Sequence, residues 1–276
     1  MSDDHVYMTL AEGHDDGDAR WAFGTGFEDP LHGVDTTVPA GIDREQLAAS
    51  CVALGDDALI SAQRLAEWTT RAPELEEEVA LANIGLDLLG QARLLYSRAG
   101  QADGTGRDED AYAYFRDPAD FRNVRLAELP NGDFAFSMVR LLVFASWRLA
   151  HSERLTAAAD PILAAIAAKG VKELAYHRQY AAEWCVRLGD GTEESHRRMQ
   201  AALSDVAPYL DELFAAHDVR SEVVAVLRQV CDTADLSLPV IKPFPGSGRS
   251  GDHTEHLEPL MAELQSLARA HPEATW

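Results

Sequence analysis

The stretch from 75 to 100, LEEEVALANIGLDLLGQARLLYSRAG, constrains the fold of this chain more than any other. Its apolar side chains step by three and four along the chain, which is the spacing of an α-helix. They form two faces: the first holds Leu75, Val79, Ala82, Leu86, Leu89 and Tyr96, and the second holds Leu81, Ile84, Leu88, Ala92 and Leu95. A helix that is apolar on two faces is predicted to be surrounded by other helices.

A polar stripe interrupts this apolar helix. Asn83, Asp87 and Gln91 step by four through it, and Gly90 lies beside Gln91. Residues four apart share one helix face. A polar stripe inside a central bundle helix is where a cofactor site would lie, so we ask whether this stripe still supports chemistry.

The composition indicates a globular chain. The 276 residues are 46% hydrophobic, enough for one large helical domain or two small ones. No uninterrupted apolar run approaches the roughly 18 residues of a membrane helix, and the N-terminus lacks the features of a signal peptide. The three cysteines, Cys51, Cys185 and Cys231, are far apart, which favours buried reduced thiols. We therefore expect a cytoplasmic protein that does not enter a membrane.

The charge excludes some partners and raises a hypothesis about salt. The net charge is −22, from 46 acids and 24 bases, so nucleic acid and anionic lipid are poor partners. Lys169, Lys172 and Lys242 are the only lysines, and the other bases are arginine. A solvated acidic surface explains this pattern simply. Adaptation to high salt, with a surface like that of halophile proteins, is the sharper hypothesis.

Helix signals divide the chain into two parts. Residues 1–40 are predicted to be an acidic, mostly flexible extension, and 41–276 a helical domain. The core helices are predicted at about 43–70, 74–99, 133–158 and 162–188, and extra helices at about 193–216, 222–231 and 258–270. Residues 237–256, rich in Pro and Gly, are predicted to be a linker.

The order of long helices predicts an all-α fold, a ferritin-like four-helix bundle with additional C-terminal helices. Such bundles hold two irons with a Glu from each of two helices and a Glu-x-x-His pair from each of the other two. The second core helix contains no His, and Glu173 and His177 are four apart rather than three. The only literal match, Glu193 to His196, begins an extra helix, where an exposed capping role is favoured.

Two further residue groups carry expectations. His177 lies on an apolar stripe and is expected to be a hydrogen-bonded core histidine rather than a lone metal ligand. Asp56 and Asp57 could pair with Arg64, Arg93 or Arg140, and such a buried cluster could fill the space that the irons would occupy. No GxSxG, P-loop or GxGxxG motif sits in a suitable context.

Several segments together resemble the C subunits of the phenylacetyl-CoA ring-epoxidising monooxygenases. They include LGDDALISAQRLAEW, APELEEEVALANIGLDLLGQARLLYSRAG, GRDEDAYAYFRD, KELAYHRQYAAEWCVRLGDGTEESHRRMQ and HTEHLEPLMAELQSLARAHPEATW. The resemblance covers about 43–276 and leaves out the acidic extension.

The resemblance implies a multicomponent epoxidase of aerobic phenylacetate breakdown. In that family a ferritin-like catalytic subunit holds the di-iron centre and the CoA thioester. A reductase with a flavin and an iron–sulfur cluster supplies electrons from NADPH, and two smaller subunits complete the system. The C subunit is a helical partner that pairs with the catalytic one and lacks the metal.

The resemblance also indicates which positions have lost their ligands. Compared with the catalytic sister subunit, Leu88 and Gln91 stand where a Glu and a His ligand would be, and Leu174 replaces a second Glu beside the retained His177. Gap-free counting adds two positions, Ala58 and Ala145, although a shift of one residue would bring Asp57 into the role of Ala58. Because Leu cannot bind iron, no catalytic, cofactor-binding or metal residue is expected in this chain.

The sequence therefore predicts a non-catalytic structural subunit that pairs with and supports the di-iron catalytic subunit in a hetero-oligomer. Asp87 and Gln91 are expected to form hydrogen bonds or an ion pair across the bundle with neighbouring Asp or Arg side chains. An autonomous ferritin-like di-iron oxygenase and a stand-alone helical binding protein are the alternatives.

Overall fold

A computed structural model of the chain describes residues 35–215, 218–242 and 245–274. Most of the acidic extension predicted over 1–40 lies outside the described residues. Within them the fold is all-α and contains no strand.

The described residues form ten α-helices, joined in places by short 3₁₀ turns. They are α1 (Arg44–Ala66), α2 (Leu75–Ala102), α3 (Glu109–Tyr114), α4 (Arg125–Glu128), α5 (Phe134–Leu155), α6 (Pro161–Gly189), α7 (Glu193–Val206), α8 (Leu210–Ala215), α9 (Arg220–Thr233) and α10 (Leu257–Ala270).

Four long helices build the core as two antiparallel hairpins. Short turns join α1 to α2 and α5 to α6, and each hairpin packs closely along its length, while α2 also packs against α6. The indole Nε1 of Trp68, just after α1, donates to Ser137 Oγ of α5 at 3.1 Å. The predicted fold class is confirmed: this is a ferritin-like four-helix bundle with additional C-terminal helices. Of these, α7 and α9 pack against the α5–α6 hairpin.

Side-chain caps set where several helices begin. The first turn of a helix has backbone N–H groups without a partner inside the helix, and a short polar side chain just before it can accept from one of them. The caps, with the accepted N–H and the distance, are Asp43 from Gln46 at 3.1 Å, Asp133 from Phe136 at 2.9 Å, Asp160 from Leu163 at 2.8 Å and Thr192 from Ser195 at 3.1 Å.

Three helices end earlier than the sequence pattern predicts, and one of them, predicted over 133–158, ends at Leu155. The first, predicted to reach 70, ends at Ala66, and Thr70 in the following turn has a left-handed φ of 67°. The helix predicted over 193–216 stops at Val206, and a 3₁₀ turn leads into α8. Pro208 lies in that turn, and proline lacks the N–H that would continue the helix.

The prediction that both apolar faces of α2 are covered is wrong for the first face. The second face is buried, with Leu81, Ile84 and Leu88 fully enclosed. On the first face Leu75 is 71% exposed and Leu86 is 63% exposed. Val79 and Leu89 are also exposed, and we call these four leucine and valine side chains the α2 apolar stripe. Only Tyr96 of the first face is buried.

The segment predicted as a linker packs against the bundle at its centre. Residues 245–254, which we call the C-terminal strap, contain a 3₁₀ turn at Gly248–Ser250. Arg249 of the strap reaches Asp57 of α1 with an N–O distance of 2.6 Å. His253 reaches Glu128 of α4 at 2.5 Å. The strap is therefore tied to the core by charged groups, which its Gly-rich sequence concealed.

The cysteine prediction is confirmed. Cys51, Cys185 and Cys231 are free and buried. Burial raises the pKa of Cys51 to about 12, so the thiol stays protonated at neutral pH. Among the described residues, no helix combines the length and the apolar character that crossing a membrane requires.

Candidate functional site

Each of the four long helices contributes one polar side chain to the centre of the bundle. The four are Asp57 of α1, Gln91 of α2, Arg148 of α5 and Glu173 of α6, and we call them the central polar network. Arg148 Nε donates to Gln91 Oε1 at 3.0 Å, and Gln91 Nε2 donates to Glu173 Oε2 at 2.8 Å. Arg148 Nη1 lies 4.0 Å from Asp57 Oδ2. The contacts therefore run across the bundle from α1 to α6.

Asp57 is fully buried and is held on both carboxylate oxygens. The backbone N–H of Val124 donates to Oδ1 at 2.8 Å, and Arg249 donates to Oδ2 at 2.6 Å. Burial raises the pKa of Asp57, and the charges of Arg249 and Arg148 oppose that rise. These two arginines and the backbone N–H donor offset the free-energy cost of removing the carboxylate from water.

The other charged groups of the network and its neighbours carry opposite charges and lie close to one another. Burial lowers the pKa of Arg148 to about 10, so its guanidinium remains charged at neutral pH. Burial raises the pKa of Glu173, against the hydrogen bond from Gln91 and the charge of Lys169, which lies 3.7 Å away. Three cations thus face two carboxylates: Arg148, Arg249 and Lys169 face Asp57 and Glu173.

His177 is buried beside the network and is bound on one side. Its Nε2 donates to Asp87 Oδ2 at 3.0 Å, while its buried Nδ1 has no hydrogen-bond partner among the described residues. The Asp87 side chain is 39% exposed at the edge of the α2 apolar stripe. The prediction of a hydrogen-bonded core histidine is confirmed for Nε2. The expected arginine contact across the bundle is confirmed for Gln91, which accepts from Arg148. The expected Asp or Arg partner is wrong for Asp87, which contacts His177 instead.

The three side chains of the polar stripe on α2 differ in how deeply they are buried. Gln91 is buried, Asp87 is half-buried and Asn83 is exposed. The expectation that the whole stripe lies inside the bundle is therefore wrong for Asn83, because α2 turns that part of the face outward.

The six positions that the resemblance assigns to former iron ligands do not fit a di-iron centre. All six are buried, and they comprise Ala58, Leu88, Gln91, Ala145, Leu174 and His177. Alanine and leucine side chains have no donor atom. Carboxylate and imidazole groups are the ligands of non-haem iron, and His177 alone remains. Within the described ranges, no group of three or more His, Cys, Asp or Glu side chains could hold a metal ion.

The predicted arginine partners of Asp56 and Asp57 are wrong. Arg64 donates to the carbonyl of Glu128, Arg93 to Glu109, and Arg140 to the carbonyl of Leu129. Asp56 instead accepts from the hydroxyl of Tyr96 at 2.6 Å and pairs with Arg116. The closest arginine partners of the two aspartates, Arg116 and Arg249, lie outside the α-helices, so helix spacing does not reveal them.

Comparison with known proteins gives the family. A family model described as phenylacetic acid catabolic protein matches residues 34–276. The chain belongs to this family. The C subunit of 1,2-phenylacetyl-CoA epoxidase from Escherichia coli (strain K12) is 42% identical over 247 residues, which cover 84% of this chain and 99% of the relative. The region that the family model matches includes the whole bundle, the central polar network and the C-terminal strap.

The Glu193–His196 pair lies apart from the central polar network, on α7. Thr192 and Ser195 form the capping box, and His196 Nδ1 lies 2.7 Å from the carbonyl of Gly189. Glu193 is exposed in the first turn, where its charge complements the positive end of the helix dipole. The expected capping position is therefore observed.

The sequence patterns did not predict the roles of Arg148 and Arg249. Arg148 stands in the apolar run LLVFASWRLA, and a lone arginine in such a run signals a buried partner. It follows Ala145 by three, so the two share a helix face. No local signal marks Arg249, because its partner Asp57 lies 192 residues earlier in the chain.

Proposed function

We propose that this chain is the non-catalytic structural subunit of a phenylacetyl-CoA ring-1,2-epoxidase of aerobic phenylacetate catabolism. The name of the Escherichia coli relative, the C subunit of that epoxidase, supports this assignment. In the proposed complex a di-iron catalytic subunit holds the metal and the substrate. A reductase with flavin and an iron–sulfur cluster delivers electrons from NADPH, and two small subunits complete the assembly.

The observation that carries the proposal is the filling of the bundle centre. Leu88 and Leu174 are fully buried, and Arg148 bonds to Gln91 between the helices. A ferritin-like di-iron site needs carboxylates and imidazoles at its centre. Apolar side chains and a bound guanidinium there support a structural bundle, whose role is to hold a partner in shape.

The α2 apolar stripe supports pairing with the catalytic subunit. Its four side chains lie on one helix and leave apolar surface uncovered in this chain. Contiguous exposed apolar surface marks interaction sites, and stable hetero-oligomers bury large apolar interfaces. In the proposed pairing this stripe packs against the catalytic subunit, and Asp87 lies at its edge.

Co-expression with the catalytic subunit, followed by size-exclusion chromatography and metal analysis, tests the proposal. The two chains should elute as one hetero-oligomer, with iron that follows the catalytic subunit. If this chain purified alone holds stoichiometric iron and turns over with oxygen, it is an autonomous di-iron oxygenase instead. If it forms a stable homo-oligomer that ignores the catalytic subunit, it is a stand-alone helical binding protein.

A pair of variants assigns the interface. Leu86→Asp places a charge on the α2 apolar stripe, where the side chain is 63% exposed, so the isolated chain should fold normally. It should lose co-elution with the catalytic subunit, because a carboxylate would be desolvated in the interface. Leu267→Asp, on α10 and 54% exposed, is the matched control and should co-elute normally. Equal behaviour of the two variants would exclude the stripe as the interface.

A further inference from the structure

An open groove of about 880 Å³ runs between α6 and α9, away from the bundle centre. Val186 of α6 and Val226 and Val230 of α9 line it, and it shares no residue with the α2 apolar stripe. Its volume lies within the range of ligand-binding clefts. Along α6 it extends from Ala175 to Arg187, which is about 18 Å at 1.5 Å per residue. That length equals about three turns of an α-helix.

The charge in this groove differs from the rest of the chain. Arg178 and Arg187 are among the arginines in the described ranges that have no ion pair with any described residue. Arg187 lies over the ring of Trp184, 4.7 Å from its centroid. Glu183 is the one carboxylate of the lining and accepts from Gln179. A chain with net charge −22 thus presents a net positive groove.

We propose that the α6–α9 groove binds an acidic amphipathic helix of a separate polypeptide. The apolar face of that helix packs on the valines, and its carboxylates pair with Arg178 and Arg187. A helix lying in an apolar groove is a recurrent recognition mode. Because the charges lie at an open surface, binding is transient and weakens as salt rises.

A synthetic peptide of about 14 residues, long enough to cover the groove at 1.5 Å per residue, is the probe. It carries Leu at helical spacing with Glu between, and a second peptide replaces every Glu with Lys. Fluorescence anisotropy with the full chain should show saturable binding of the acidic peptide only. The double variant R178E/R187E should weaken binding by about tenfold or more, equal to about 1.4 kcal/mol.

Arg228→Glu is the matched charge control. Arg228 is exposed on α9 but does not line the groove, so this variant should bind the acidic peptide within about twofold of the original chain. Binding of the basic peptide equal to that of the acidic one, or an equal loss in the Arg228 variant, would overturn the proposal, because general electrostatics would then explain the signal.

Ala182→Trp tests the groove without changing charge. Ala182 lines the groove on α6, and an indole there would fill the space that the peptide helix needs. Circular dichroism checks that the variant remains helical, and peptide binding should be lost. Unchanged binding contradicts the proposal. It is also contradicted if the chain alone dimerises, Ala182→Trp abolishes that dimer and the peptide does not bind, because a second copy then occupies the groove.

Discussion

The Nε atom of Arg148 lies 3.0 Å from Oε1 of Gln91, which joins α5 to α2 at the centre of the bundle. The amide of Gln91 accepts from this cation on one side and donates to the carboxylate of Glu173 on the other. A neutral side chain thus links a positive and a negative group on different helices. A histidine at this position could accept at one nitrogen and donate at the other, but a glutamine does so without depending on pH.

Removing the cation should destabilise the whole bundle. In Arg148→Met, Gln91 Oε1 and the carbonyl of Leu54 lose a buried donor, and Asp57 loses one of its two arginines. Breaking a buried charge network typically costs about 3–5 kcal/mol. Urea unfolding followed by circular dichroism should show a loss of that order in the free energy of unfolding.

The coupling between Arg148 and Asp57 provides the control for this experiment. The double variant Arg148→Met with Asp57→Asn removes both charges, so its loss should be smaller than the sum of the two single losses by about 0.5–3 kcal/mol. Additive losses would mean that the 4.0 Å separation carries no coupling.

A carboxylate introduced at a position that the resemblance assigns to an iron ligand should not create an iron site. Leu174→Glu places a carboxyl group where the side chain is fully buried, and burying a charge without a partner costs several kcal/mol or forces the group to be neutral. Leu174→Met keeps the volume and should cost less than about 1.5 kcal/mol. The free energy of unfolding and the iron content of both purified variants check this expectation. Stoichiometric iron in Leu174→Glu would contradict it.

The strap should make stability depend on pH through His253. Burial by itself would lower the pKa of His253, but the hydrogen bond and charge of Glu128 and the carbonyl of Phe121 outweigh it and raise the pKa above 6.5. Both ring nitrogens face oxygen acceptors, at 2.5 and 2.9 Å, so the imidazolium form satisfies both. Its contribution is therefore fully present below about pH 6.5 and is lost as the pH rises through the raised value.

The comparison of His253→Gln with the original chain measures this contribution. The difference in the free energy of unfolding should be largest below about pH 6.5 and should shrink as the pH is raised. His271→Gln, at an exposed position after α10, serves as the control and should show no such trend. If the loss of unfolding free energy in His253→Gln instead grew with pH, the pKa of His253 would not be raised in the folded chain, and the prediction would be wrong.

Much of the bundle can be predicted from local patterns, whereas its centre cannot. Helical spacing in 75–100 and caps such as Asp133 depend on neighbours in sequence, so they reveal the long helices. The same spacing does not reveal that Leu86 faces outward, because an exposed apolar residue at helical spacing looks like a core residue. Asp57 is met by Arg249 and by the backbone of Val124, and no periodicity connects such distant groups.

Two glycine substitutions should act in opposite directions. A Cβ at Gly248 of the strap would overlap the backbone oxygen of Asn123. Because that atom belongs to the backbone, it cannot move aside as the end of a flexible side chain could. Gly248→Ala should therefore cost about 1–3 kcal/mol. A Cβ at Gly90 of α2 meets nothing within 4 Å, so Gly90→Ala should stabilise the isolated chain by about 0.5–1 kcal/mol. Thermal unfolding of both variants provides the measurement.

Salt should stabilise this chain. The 46 acidic residues exceed the 24 basic ones, and their mutual repulsion favours unfolding at low ionic strength. Since salt shortens the screening length from about 30 Å at 0.01 M to about 3 Å at 1 M, the unfolding midpoint should rise over that range. A midpoint that stays constant or falls would reject the hypothesis of adaptation to high salt.

The position of Arg249 after all four long helices in the sequence also affects the order of folding during synthesis. All four long helices leave the ribosome before the strap is made, so Asp57 is at first without Arg249, the cation that lies closest to it in the folded chain. Until then its buried carboxylate is only partly neutralised, which costs free energy. The bundle consequently reaches its final stability only after the strap has been made, and a chain truncated just before residue 245 would be less stable than one that contains the strap.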